Sequence, residues 1–152
     1  MPTADFKFPP HITSQYFSAH FYRGQLPETF GIGPIEVSGS SLKCSLTVDE
    51  RHLRPGGIMN GGVSLVMIEF IGSVSSSCLI SSSEGLMKGD KNALGLTVTA
   101  NHTRTAKPGD RLTASSSAVH IGRSTHIWDV TIVNQNDQLV STGRITMMIV
   151  AQ

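Results

Sequence analysis

Residues 63–81, VSLVMIEFIGSVSSSCLIS, decide the fold of this chain. They form its longest apolar segment, and a length of about five helical turns favours a helix over a strand. The many Val, Ile and Ser residues lower helix propensity, so packing must hold the segment helical. A helix that is apolar nearly all round belongs inside a protein. The chain enters it through His52-Leu-Arg-Pro-Gly-Gly-Ile-Met-Asn-Gly-Gly62, which is too rich in glycine for regular structure. It leaves through Ser81 to Asn92, which reads as a polar, mobile loop.

Toward the C-terminus the pattern is strand after strand, over roughly 93–103, 110–121, 124–134 and 138–150. Pro108-Gly109 and Asn134-Gln-Asn-Asp137 are the turn signals between them. In the last strand Val140, Thr142, Arg144, Thr146 and Met148 alternate with Ser141, Gly143, Ile145, Met147 and Ile149. Toward the N-terminus, Ile32 to Val48 alternates as two strands turning at Gly39-Ser40-Ser41. Val37, Leu42, Cys44, Leu46 and Val48 supply their inward face. Residues 11–23 place Ile12, Tyr16, Phe17 and Phe21 at helical spacing with Gly24 as the stop, which predicts a short capping helix. This order is α+β rather than alternating βαβ. An antiparallel sheet of about six strands, curled around one central helix at about 62–80, satisfies it within a single domain, 1–152.

The bulk numbers narrow the function. A chain of 152 residues suits one core, and 39% hydrophobic with 15% charged residues is a globular composition. The net charge of +1 gives no global pull toward nucleic acid or an anionic membrane, so anion binding must come from a local cluster. Cys44 and Cys78 are too few to staple the chain and have no metal-ligand spacing, so reduced thiols and no metal are expected. Met1 to Pro10 has no apolar leader segment, and no run is expected to approach the roughly 18 apolar residues of a membrane span. The expectation is a soluble, cytoplasmic protein.

Glu69 is the residue that does not belong. Its stripe of the helix holds Gly62, Leu65, Val66, Gly72, Ser73 and Ser76, while Val63, Met67, Phe70, Ile71, Val74 and Cys78 lie opposite. Burying an unpaired carboxylate is costly and raises its pKa, so a fold keeps one for a partner or for chemistry. Gly61-Gly62 falls in the first helical turn, where backbone N–H groups lack acceptors and the macrodipole is positive. A developing oxyanion is stabilised in such a place, and glycine lets a ligand come close.

These stretches together resemble the hotdog-fold acyl-CoA thioesterases of the phenylacetate-degradation and 4-hydroxybenzoyl-CoA types. Gly57-Ile-Met-Asn-Gly-Gly62 followed by Glu69 is similar to their G-x-x-H-G-G signature with its later Asp or Glu. The likeness extends further for the 1,4-dihydroxy-2-naphthoyl-CoA hydrolases of menaquinone biosynthesis and their enterobactin-proofreading relatives. Residues 62–74 resemble their GGASxxxAExIGSxA helix, and Gly95 to Arg104 resembles their GLxINANHxR strand. His120-Ile-Gly122 with Trp128 is similar to their HxG…W strand pair, so the likeness spans about residues 30 to 150.

The resemblance implies hydrolysis of an aryl- or medium-chain acyl-CoA. Glu69 would be nucleophile or general base, the Gly61 N–H the oxyanion donor, and Ser73 the hydroxyl that places water or the carboxylate. Gly62, Gly95, His102, Arg104, Thr105, His120, Gly122, Arg123 and Ser124 would bind substrate and the CoA arm, with Arg104 and Arg123 suited to its phosphates. No cofactor is implied beyond the coenzyme A of the substrate. The implied assembly is a homodimer, paired into a dimer of dimers, with Glu69 facing a second chain; an open sheet edge agrees with this. Two positions depart from the pattern. Asn60 stands where His is usual, and Arg54 where Gln or Asn is usual. Asn60 can still donate from its amide, while Arg54 brings a permanent charge that could pair with Glu69 or recognise an acidic acyl group. Two alternatives compete: a hotdog protein that binds acyl-CoA without cleaving it, which these two positions favour, and a hydratase or dehydratase, whose chemistry wants a His–Asp or His–Glu pair while no His is read on or beside the 63–81 helix.

Overall fold

The computed structural model describes residues 6–17, 22–81 and 89–152. Its elements are α1 (Leu26–Thr29), β1 (Glu36–Ser38), β2 (Ser41–Thr47), α2 (Gly61–Ile80), β3 (Lys91–His102), β4 (Arg111–Ile121), β5 (Thr125–Val133) and β6 (Leu139–Ala151). The six strands form one antiparallel sheet in the order β1-β2-β4-β5-β6-β3. β3, the first strand after the helix, therefore closes the far edge beside β6. α2 packs against β2, β3, β4, β5 and β6, most closely against β3 and β6, which is the expected hotdog arrangement.

The core lies between α2 and the concave face of the sheet. Met67, Ile68, Ile71 and Cys78 of the helix meet Leu42, Leu112, Trp128, Val130, Ile132, Ile145 and Met147, all fully buried. Each such aliphatic side chain contributes about 1.5–3 kcal/mol through burial. In β6 the inward set is Ser141, Gly143, Ile145, Met147 and Ile149, as the alternation predicts. A methyl group on Gly72 would overlap Ile145, so glycine is what lets the helix lie this close to β6. The buried serines of the second half of the helix are paired. Ser75 Oγ donates to Ile71 O at 2.7 Å and meets Ser116 Oγ at 2.9 Å. Ser76 Oγ accepts the Trp128 indole N–H at 2.8 Å and lies 3.1 Å from His126 Nδ1. At that end the N-terminal arm closes the core, with Phe8 stacked on Trp128 and Phe6 edge-on to it.

Three expectations need correction. Residues 11–23 do not form one helix: the chain makes a single 3₁₀ turn, Ser14–Phe17, and 18–21, with Phe21, lie outside the described residues. Ile12 and Phe17 are both buried, yet each is held by its own local turn, and so short an isolated helix would be marginal in any case. α2 does reach the length and apolarity of a membrane span; the sheet that wraps it, burying ten of its residues, accounts for that character. Lys91 and Asn92 belong to β3 rather than to a loop, and 82–88 lie outside the described residues. One stripe of α2, Leu65, Val66, Glu69, Phe70 and Ser73, is only half-buried, and Val98 of β3 with Leu26 and Pro27 of α1 borders it.

Candidate active site

The loop into α2 is fixed from below by His52, which is buried. Its Nδ1 accepts the Asp49 N–H at 2.9 Å and its Nε2 donates to Phe30 O at 2.8 Å, a neutral tautomer set by both bonds. Gly56 and Gly57 turn the loop at φ of 102° and 77°, a region that favours glycine. Met59 N–H then bonds to Ala106 O and Asn60 N–H to His52 O, both at 2.8 Å. The loop so delivers Asn60 as the helix N-cap, its Oδ1 accepting the Gly62 N–H at 2.8 Å. The Gly61 N–H, at the positive end of a 20-residue helix, has no acceptor among the described residues.

A cleft of about 340 Å³ opens at this point. Arg54, Ile58, Met59, Gly61 and Ser64 line one side, and His102 to Ala106 with Val140 line the other. The His102 ring lies against Gly61, where a methyl group would come 2.7 Å from Nε2. Arg54 stands at the rim, with Nη1 donating to Pro55 O at 3.0 Å. It makes no ion pair among the described residues, so the pairing with Glu69 that its charge suggested does not form.

Glu69 occupies a second, apolar groove of about 420 Å³, with Leu26 and Pro27 of α1, Leu65, Val66, Phe70, Ser73, Val74 and Val98. Its carboxylate has no hydrogen bond or ion pair among the described residues. Desolvation pushes its pKa above the usual carboxylate value. A methyl on Gly95 would come 2.6 Å from Oε1, so this glycine is what allows the carboxylate to lie against β3. The strand has a register shift between Gly95 and Thr97 at this place. Beside it the edge presents Leu94 and Leu96, 48% and 61% exposed.

The remaining predicted residues lie elsewhere. His120 is the last residue but one of β4, and Gly122, Arg123 and Ser124 make the β4–β5 turn, tied by Gly122 N–H to Thr125 O and Ile149 N–H to Ser124 O, both 2.9 Å. That turn is level with Leu94 through Thr125 and Met148, whereas His102 is level with Ser141. Eight residues along β3 separate the two levels, about 26 Å at roughly 3.3 Å per residue. Within one chain the predicted set is thus divided among a polar cleft, an apolar groove and a distant turn. Sequence reasoning missed Leu26 and Pro27, which wall the groove, and Ser64, whose burial in the cleft nothing in a serine within an apolar run betrays. The two cysteines are buried and free, and burial pushes the Cys44 thiol up to about 12, so neither is a ready nucleophile. Among the described residues no group of three His, Cys, Asp or Glu side chains is placed to hold a metal.

An unspent N–H at a helix start and an unspent carboxylate two turns further on are the parts an acyl transfer needs. Comparison with known proteins agrees in kind. The model of the Thioesterase superfamily matches residues 56–141. A 1,4-dihydroxy-2-naphthoyl-CoA hydrolase of Listeria monocytogenes is 32% identical over 124 residues, covering 82% of this chain and 94% of that protein. A mutant of a thioesterase from Pseudomonas aeruginosa superposes with a TM-score of 0.76 at 33% identity, covering 86% of this chain and 88% of the other. A Haemophilus influenzae thioesterase gives 0.75 at 27% identity, covering 85% of each.

Proposed function

This chain belongs to the thioesterase superfamily and is a thioester hydrolase of the hotdog fold; from that premise we propose that it cleaves an aryl- or medium-chain acyl-CoA to the free acid and CoA. The observation that carries this reading is the half-buried Glu69 carboxylate, unpartnered beside an apolar groove and two turns from an unspent helix N-terminus. Eight helical residues, about 12 Å at 1.5 Å per residue, separate Gly61 from Glu69 in one chain, so the thioester oxygen accepts from the Gly61 N–H of one copy while the acyl group lies along the Glu69 groove of a second. Glu69 either attacks the carbonyl carbon, or takes a proton from a water that does so; Ser73, one turn on, places that water. With Glu69 as base, the proton taken from water passes to the CoA sulfur as the carbon–sulfur bond breaks; with Glu69 as nucleophile, CoA leaves as the thiolate, and water then hydrolyses the acyl–Glu69 anhydride to release the acid and regenerate the carboxylate. The Asn60 amide oxygen is engaged in capping, so only its N–H donors face the substrate. Phosphates of the CoA arm fall to Arg104 and Arg123, with His102, Thr105, His120, Gly122 and Ser124 beside them.

Arg104 and Arg123 sit at opposite ends of the sheet, so one chain alone does not surround a CoA. Pairing of two copies through the β3 edge, whose Leu94 and Leu96 are exposed, would set one end of each sheet against the other and place a second chain opposite Glu69. A homodimer, paired again into a tetramer and working in the cytoplasm, is part of this proposal, as is the absence of any cofactor beyond the substrate's own coenzyme A. The alternative, a protein that binds acyl-CoA without cleaving it, rests on Asn60 and Arg54 standing where other residues are usual, and in part on Arg54 pairing with Glu69. The free carboxylate favours turnover. A panel of aryl- and alkyl-CoA thioesters assayed with a thiol reagent tests the proposal. Glu69→Gln is expected to lower kcat by roughly 10²–10⁴-fold. No turnover on any thioester, or equal turnover in the variant, overturns it.

A further inference from the structure

Two polar groups in the cleft at the start of α2 have no part in the steps above. Ser64 is fully buried and its Oγ has no hydrogen bond. Ser75, equally buried on the same helix, returns its hydroxyl to the carbonyl four residues back. For Ser64 that carbonyl is Asn60 O, which receives the Val63 N–H at 3.0 Å but no hydroxyl, and Ser64 is among the residues that line the cleft. A buried hydroxyl without a partner is costly to keep. Arg54, across the same cleft, spends one N–H on Pro55 O and faces no carboxylate. No Asp or Glu lines the cleft, and His102 and Arg104 add donors and positive charge to its wall. The cleft therefore offers several donors and a fixed positive charge, with nothing in the chain to receive them.

We propose that Arg54 and Ser64 form an oxyanion subsite for the substrate, the guanidinium and the hydroxyl each taking an oxygen of one carboxylate or phosphate. This rests on the thioesterase reading only for the identity of the substrate. A guanidinium can grip two oxygens of one anion with parallel N–H bonds. If the anion is a carboxylate on the acyl group, it lies near the thioester carbonyl, because Gly61 lines the same cleft. The substrate is then a short dicarboxylic acyl-CoA. If it is a phosphate, it belongs to the CoA arm.

Binding measured on the full chain carrying Glu69→Gln, which leaves the thioester uncleaved, separates these cases by calorimetry. The ligands are glutaryl-CoA, valeryl-CoA, free CoA and dephospho-CoA, each with and without Arg54→Gln or Ser64→Ala. For a carboxylate, either change weakens glutaryl-CoA by about tenfold or more and spares the other three. For a phosphate, every ligand retaining that phosphate weakens together. Affinities for all four within twofold of the parent overturn the proposal. Ser64→Ala is also expected to keep or raise Tm; a fall in Tm with unchanged binding marks the serine as structural and overturns it too. A chain that hydrolyses nothing but shows the Arg54-dependent affinity would sink the thioesterase reading and leave this one standing.

Discussion

Ser75 and Ser76 lie in the second half of α2, and their hydroxyls meet Ile71 O, Ser116, His126 and the Trp128 indole. In the first half, the Gly61 N–H, the Ser64 hydroxyl and the Glu69 carboxylate meet nothing among the described residues. Both halves pack against the same sheet. A fold that can satisfy its polar atoms at one end, and leaves three unsatisfied at the other, marks the second place as the one a ligand completes. Stability and chemistry are thus separated along a single helix, about 30 Å long at 1.5 Å per residue.

The separation can be broken from either side. The largest effect is expected from Gly95→Ala, because the added methyl would meet Glu69 Oε1 at 2.6 Å and the flexible carboxylate is what must move. Turnover should fall by about 10²-fold, as for small misplacements of a reacting group, with circular dichroism and Tm close to the parent. A variant that unfolds would show that the glycine serves the sheet instead. Ser76→Ala attacks the other half. It strands the buried Trp128 N–H, and should cost about 1–3 kcal/mol in denaturant unfolding while kcat stays within twofold. A large loss of kcat would show the two halves to be coupled.

The smaller effects concern pH. Since desolvation raises the Glu69 pKa and the ionised form does the work, the acid limb of kcat/KM should lie above the ordinary carboxylate value of about 4.3. A limb at or below that value assigns the limiting group elsewhere. The smallest is in stability. A carboxyl whose pKa is higher folded than unfolded favours the folded state below the unfolded pKa, and that contribution is lost as pH rises through the folded pKa. Glu69→Gln should therefore raise Tm by a few degrees at pH 7, with the difference vanishing below about pH 4. An equal gain at both ends of the range would point to packing rather than charge.

The parts that were legible from sequence are those where one residue type carries the signal. The run from Val63 showed the helix, the turn residues divided the strands to within a few positions, and a lone carboxylate in an apolar helix showed Glu69. Ile12, Tyr16 and Phe17 misled, because helical spacing is also produced when residues a few positions apart each fill a different gap at the open end of a sheet. Register was invisible, and it is register, passed from β5 through β6 to β3, that puts His102 and Ser124 at opposite ends of the sheet. Ser64 could not be found at all, since nothing in its type or spacing separates its unpaired hydroxyl from the paired one of Ser75.

The aromatic arm over Trp128 carries a consequence for biosynthesis. Phe6 and Phe8 are translated about 120 residues before the indole they cover. At the usual 5–20 residues per second, the ribosome adds the intervening chain in roughly 6–24 s. Throughout that interval the arm lacks its docking surface, and the last strands to emerge must assemble before it can seal the core. Segments synthesised early here are buried late, so a nascent chain stalled before β5 would present two phenylalanines to any chaperone waiting at the exit tunnel.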